Sequence, residues 1–252
     1  MSESAAATAC AAFDAASVSE MLRSDPEAGI AEIRRAARRG DVGAQALLGQ
    51  IYLEGRGVAV DEAEGLHWHA VAASAGNVES MNMVGRCHEL GRGTPVDEAL
   101  AAVWYRKAAA KGLDWGIYNY ANLLATGRGV ARDRPQAFAL YQRAAAMGHA
   151  KSMNLVGRHY DEGWDVERDP EAAVDWYRRS AEGGDFRGQA SYASVLVREG
   201  RLDEAERWLV RAIASGSRVF LEKLAGSLAD SPHERFRALV PRIEARLTSA
   251  RA

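Results

Sequence analysis

The chain has 252 residues, 48% of them hydrophobic and 26% charged, proportions ordinary for a soluble globular protein. A formal net charge of -2 carries no basic surplus, which argues against a nucleic-acid binder of the usual electrostatic kind. Two cysteines, Cys10 and Cys87, are too few for a disulfide framework and fit a reducing compartment.

In chain order, residues 1–24 are rich in Ala and Ser and lack the basic and long apolar segments of a secretory signal. A tail or a loose helix over 14–22 is expected there. No stretch approaches the ~18 apolar residues of a membrane span, so no membrane partner is expected and the cytoplasm is the expected location. Asp25 followed by Pro26 opens a lone helix that closes at Gly40. From that point a phrase recurs. RAARRG, VAASAG, KAAAKG, RAAAMG and RSAEGG end at Gly40, Gly76, Gly112, Gly148 and Gly184, at intervals of 36 residues. Gly216 closes RAIASG only 32 residues later, so the last unit is four residues short. A second phrase keeps the same period: GRGV at Gly55, GRGT at Gly91, GRGV at Gly127 and a degraded GWDV at Gly163. Asp61, Asp97, Asp133 and Asp169 follow at a fixed distance, and then Trp68, Trp104, Leu140 and Trp176.

Each phrase has a physical reason. A helix A over 44–54 ends at Gly55, which suits the left-handed residue of a C-terminal cap. Asp61 caps helix B, and Glu64 is expected to complete a capping box, as Gln136 does for Asp133. Pro170 occupies a first helical position, where proline is tolerated. Trp68, Ala72 and Ala75 share one face and are expected to pack. One such hairpin cannot bury its apolar face alone, whereas stacked hairpins can. The expected architecture is therefore an all-α solenoid. Its array spans 25–216, with a half repeat at 25–40, repeats at 41–76, 77–112, 113–148 and 149–184, and a shortened unit at 185–216. Residues 217–252 are expected to form two capping helices, carrying Val219, Leu221, Leu224 and Leu228, then Phe236, Leu239, Ile243 and Leu247.

The phrase LGQIYLEGRGVAVDEAEGLHWHAVAASAG at 48–76, with its copies through residue 184, resembles the Sel-1-like repeat family within the tetratricopeptide-like superfamily. That resemblance implies a right-handed superhelix, and a role as scaffold or adaptor in multiprotein assemblies. The MNxVGR phrase in addition resembles members that accompany bacterial iron uptake, which would make the chain an accessory protein. A self-associating scaffold, with the terminal caps as dimer surfaces, is a further alternative.

Little points to chemistry. His67 and His69 are two apart on a helix and face nearly opposite sides, so they cannot chelate one metal. Cys87 and His88 are adjacent, and His88 takes the place that Tyr52 and Tyr160 hold in their repeats. No Cys-x-x-Cys or His-Glu-x-x-His spacing occurs, and the Gly-Arg-Gly turns lack the lysine and strand of a phosphate cradle. Ser80 and Ser152 recur as packing residues with no visible base. Neither an enzyme nor a cofactor or resident metal is expected.

The expected work is to hold a protein or peptide on the inner face of helix A. Residues 46, 82, 118, 154 and 190 lie one turn before residues 50, 86, 122, 158 and 194, so the two sets share a face. Asn82 and Arg86 return as Asn154 and Arg158, with Tyr118 and Asn122 between them and Glu89 and Asp161 a turn further along. Asparagine can bind a peptide amide, arginine can fork onto a carboxylate, and Trp115 or Tyr118 can pack an apolar anchor. The same pattern also admits a structural reading, in which the charges pair on a solvated surface or the asparagines bond between repeats. The histidine and cysteine spacing makes a metal test decisive: dialysis against zinc or iron should leave no stoichiometric metal, and a chelator should leave the melting temperature unchanged. A tightly held equivalent of metal would contradict this.

Overall fold

Residues 15–249 are described in a computed structural model, with side chains from Glu20 onward. Cys10 and the first residue of the expected N-terminal helix lie outside them. Among the described residues there are fifteen helices and no strand. A short α1 (Ala15–Ser24) precedes α2 (Pro26–Arg38), the lone helix of the half repeat. The repeats follow as α3 (Val42–Glu54) with α4 (Glu62–Ser74), α5 (Val78–Leu90) with α6 (Glu98–Ala110), α7 (Asp114–Thr126) with α8 (Arg134–Ala146), and α9 (Ala150–Glu162) with α10 (Pro170–Glu182). The shortened repeat is α11 (Phe186–Arg198) with α12 (Leu202–Ser215). Three helices close the chain: α13 (Arg218–Ala229), α14 (Glu234–Arg237) and α15 (Val240–Ser249). The fold is an α-solenoid of helix–turn–helix repeats. It divides into two compact units, one of residues up to 116 with 128–131, the other of 117–127 with residues from 132 on.

Local rules account for the helix ends. The side chains of Asp25, Asp61, Asp97, Asp133 and Asp169 each accept a bond from the backbone N–H three residues on. Gly55, Gly91 and Gly163 close the A helices with φ of 68°, 72° and 69°. The expected capping boxes are only half formed. The backbone N–H of Asp61 donates to the Tyr52 carbonyl and that of Asp133 to the Leu124 carbonyl, so neither needs a side chain three residues later. Glu64 instead accepts from the Trp68 indole N–H at 3.1 Å. Helix A of the first repeat begins at Val42, two residues earlier than the pattern suggests, because the Asp41 carboxylate caps it through Ala44 N–H at 2.8 Å. The four missing residues come from the A–B loop. Seven residues link α3 to α4, but three link α11 to α12.

Packing follows the small-residue pattern. Ala72, Ala108, Ala144 and Ala181 are buried, and so are Leu48, Val84 and Val156 of the A helices. Ala75, expected on the packed face, is exposed because it is already the cap of α4. The B-helix tryptophans are half-buried, and all but Trp68 are covered by a cation one turn on. Lys107 lies 4.1 Å from the Trp104 ring centre, Arg179 4.2 Å from Trp176 and Arg211 4.6 Å from Trp208. In the C-terminal segment Leu221, Leu228, Phe236, Leu239 and Ile243 are buried, but Val219 is exposed. The second expected capping helix is split into α14 and α15, with Pro241 in the first turn of the latter.

The Gly-Arg-Gly loops hold one repeat to the one before it. A Cβ at Gly93 would lie 2.2 Å from the Glu62 carbonyl oxygen, and one at Gly129 would lie 2.2 Å from Glu98, so each glycine rests on the first turn of the preceding helix B. The arginine between the glycines reaches the same turn. Arg92 pairs with Glu62 at 2.7 Å and donates to the Leu53 carbonyl at 2.7 Å, and Arg128 pairs with Glu98 at 3.4 Å. Gly93→Ala should therefore destabilise the protein by at least about 2 kcal/mol, since it adds a backbone clash to a left-handed φ. Gly76→Ala, at a φ of 98° but with open space around it, should cost only ~1 kcal/mol. Urea unfolding of both variants checks the order.

Candidate functional site

In the first unit, α5 carries two of the expected groove residues one turn apart. Asn77 caps the helix through Ser80 N–H at 2.7 Å, which sets the register that follows. Asn82 is buried at 7% exposure, while Arg86 is exposed with its guanidinium 3.9 Å from the Met83 sulfur. Asn82 and Met83 form one wall of a cleft of about 280 Å³. Ala46 and Gln50 of α3 form another, and Leu113 and Trp115 close it. Trp115 stays 43% exposed, a large apolar surface open to solvent. Glu89, expected in the groove, has structural partners instead. It accepts from the Tyr105 hydroxyl at 2.6 Å and pairs with Arg128. Burial, followed by the Glu89 contact, raises the Tyr105 pKa, so the phenol stays a donor.

The second unit holds the other five. Tyr118 is half-buried against His149, ring centres 4.7 Å apart. The Asn122 side-chain oxygen accepts the Tyr141 hydroxyl at 2.7 Å, and Asp161 accepts the Tyr177 hydroxyl at 3.2 Å. Burial raises the pKa of both tyrosines, which keeps them protonated in these bonds. Asn154 is buried and accepts from Ser191 in the next repeat at 3.0 Å, as the structural alternative for the asparagines expects. Arg158 is exposed, its guanidinium 4.9 Å from the Trp164 ring centre.

A second cleft, of about 350 Å³, lies at the loop edge of this unit, with Arg132, Arg134, Tyr141, His159 and Trp164 in its wall. None of these was an expected site residue. Their signal is a set of departures from the repeat. Arg134 stands where the earlier repeats have Glu62 and Glu98, Trp164 where they have Arg92 and Arg128, and Asp165 where they have Gly93 and Gly129. The pairing is inverted accordingly, with Arg134 to Asp165 at 3.0 Å. Asp165 keeps the positive φ of the glycines, at 58°. In the first cleft Leu113 is the comparable departure, since it takes the place held by the polar caps Asp41, Asn77 and His149.

Burial favours the neutral form of the two cleft histidines, His69 and His159, rather than poising them for proton transfer. His69 is buried beneath Gly49 with Nδ1 3.1 Å from the Ser80 hydroxyl and, among the described residues, no hydrogen-bond partner on Nε2. Desolvation lowers its pKa to about 4. His159, stacked on Phe138 at 4.6 Å, is also lowered by burial, although the Trp164 carbonyl and Asp165 oppose the shift. Burial raises the Cys87 thiol, which is free. Among the described residues no group of three His, Cys, Asp or Glu is placed to hold a metal ion, and no helix is long and apolar enough to cross a membrane.

The chain was compared with known proteins. A family model described as Sel1 repeat matches residues 42–77, 78–113, 116–149 and 150–185. No curated protein sequence matches. Among solved structures the chain is similar to a Sel1 repeat protein from Oxalobacter formigenes, at 24% identity, over 94% of this chain and 100% of that one, with a TM-score of 0.79. It is similar at 27% identity to a protective antigen present in uropathogenic Escherichia coli strains that displays an SLR fold. That likeness covers 88% of this chain and 49% of the antigen, with a TM-score of 0.66, so the chain spans about half of that protein. An immunity protein from Pseudomonas aeruginosa, 13% identical over 83% of this chain and 80% of its own, has a TM-score of 0.58 and shows likeness of fold alone.

The buried histidine of the first cleft sets a pH dependence. The unfolded chain takes up its proton near the ordinary value of about 6.5, the folded chain only near 4. The stability owed to neutral His69 is therefore complete above pH 6.5 and is lost as pH falls through that window. His69→Tyr, which introduces the residue found at the equivalent Tyr105, removes the titration. Between about pH 7 and pH 4 the wild-type protein should lose about 3 kcal/mol more stability than this variant. Urea unfolding across that range reads the difference.

Proposed function

The chain belongs to the Sel1 repeat family, and from that premise we propose that it is a non-enzymatic adaptor holding an extended peptide or partner helix on its helix A face. Proteins of this family generally mediate protein–protein interaction. The observation that carries the reading is the first cleft. Trp115 lies exposed beside Asn82, Met83 and Gln50, with Arg86 at the Met83 sulfur. An apolar anchor with a few polar groups at its rim is the composition of a protein-binding hot spot. Asn82 and Arg86 supply the polar contacts and Trp115 the apolar one. The adaptor works without a cofactor and, with only two cysteines in the chain, in the cytoplasm.

The test places a photo-crosslinking amino acid at Met83 in one protein and at Val103, exposed on the B-helix side of the same unit, in another. Adducts with one partner protein from the Met83 site and none from Val103 are expected. Arg86→Ala should then weaken that partner by ~2–5 kcal/mol if the contact is buried in the complex. Unfolding should move by no more than ~0.5 kcal/mol, as for an exposed side chain. Adducts from Val103 alone, or a melting loss with unchanged binding, would contradict the reading.

A further inference from the structure

The cleft around Trp164 differs in charge from the equivalent loop edges. In the first unit a glutamate faces each loop arginine and neutralises it, Glu62 with Arg92 and Glu98 with Arg128. Here the glutamate position is Arg134 and the loop arginine is replaced by Trp164. The wall of the cleft contains two guanidinium groups, Arg132 and Arg134, and no carboxylate. Asp165 pairs with Arg134 at 3.0 Å and lies 3.4 Å from Nδ1 of His159. Arg132 uses Nε to hold the Ala125 carbonyl at 3.1 Å and, among the described residues, makes no ion pair. Arg158 adds a third cation, 4.9 Å from the Trp164 ring centre. The remaining wall is Ala125, Ala137 and Leu155 with the rings of Tyr141, His159 and Trp164.

From this arrangement we infer that the cleft binds an acidic segment of a partner protein, one carboxylate meeting Arg132 and Arg134 and an adjacent apolar side chain packing on Trp164 and Leu155. The inference rests on the adaptor reading and assigns a charge to its partner. Guanidinium groups fork onto carboxylates, and a surplus of cations in an otherwise acidic chain selects an acidic partner over a basic one. A polyanion such as RNA is disfavoured by the net charge of -2, which offers no extended basic track.

The experiment uses the full chain and end-blocked octapeptides in which Leu, Phe or Trp is flanked by Asp or Glu, with the same peptides carrying Lys instead, and a single-stranded oligonucleotide. Binding is read by fluorescence polarisation. It is also read from the Trp164 indole N–H resonance, identified by its loss in Trp164→Phe. The acidic set should bind, shift that resonance and weaken as salt is raised. Arg132→Glu should weaken it at least about tenfold with little change in melting, and Arg132→Lys should recover most of the loss. If acidic and basic peptides bind alike, or the acidic set fails to bind, the inference is overturned. Stronger binding of the oligonucleotide, or an acidic complex indifferent to Arg132→Glu, would overturn it too. Such a failure leaves crosslinking at Met83 untouched, so the two readings fail separately.

Discussion

The constraint on which the rest depends is the seating of each A–B loop on the first turn of the preceding helix B. Gly93 and Gly129 lie so close to the Glu62 and Glu98 backbone that no side chain fits. The arginine between the glycines turns that close approach into a bond across repeats. An exposed ion pair is worth little by itself, ~0.2–1 kcal/mol. Its contribution here is to hold the loop on that first turn, and apolar burial supplies the stability. Where the loop is cut to three residues, between α11 and α12, the device is gone and the capping helices follow soon after.

The proposed interaction chemistry lies at the departures from that pattern. Leu113 replaces a polar cap and stands beside the exposed Trp115. Arg134, Trp164 and Asp165 invert the staple and leave cations in a cleft. Three of the regular positions help to hold the fold. Tyr105, Tyr141 and Tyr177 each bind a polar residue of the paired helix A, so Glu89, Asn122 and Asp161 have structural work.

Much of the fold is legible in the sequence because its determinants are local. Aspartate caps, left-handed glycines and alanine stripes lie within a few residues of what they specify, and the 36-residue period repeats them. The site is less legible. Helical spacing puts Asn154 and Arg158 on one face, but only the neighbouring repeat decides that Ser191 covers Asn154, and only the folding of its own A–B loop brings Trp164 to Arg158. The failed capping boxes have the same origin, since the carbonyls of Tyr52 and Leu124 reach the cap N–H from another helix. Residues that break the period, Leu113 and Trp164 among them, are the readable signal for the clefts.

The claim that the loop staple is modular is open to one direct measurement, the unfolding free energy of Arg134→Glu alone and combined with Trp164→Arg and Asp165→Gly. The single change sets a glutamate against Asp165 and should cost more than about 1 kcal/mol. The triple change rebuilds the glutamate–arginine–glycine arrangement of the earlier repeats and should return stability to within about 1 kcal/mol of the parent. A triple variant no more stable than the single one would contradict it.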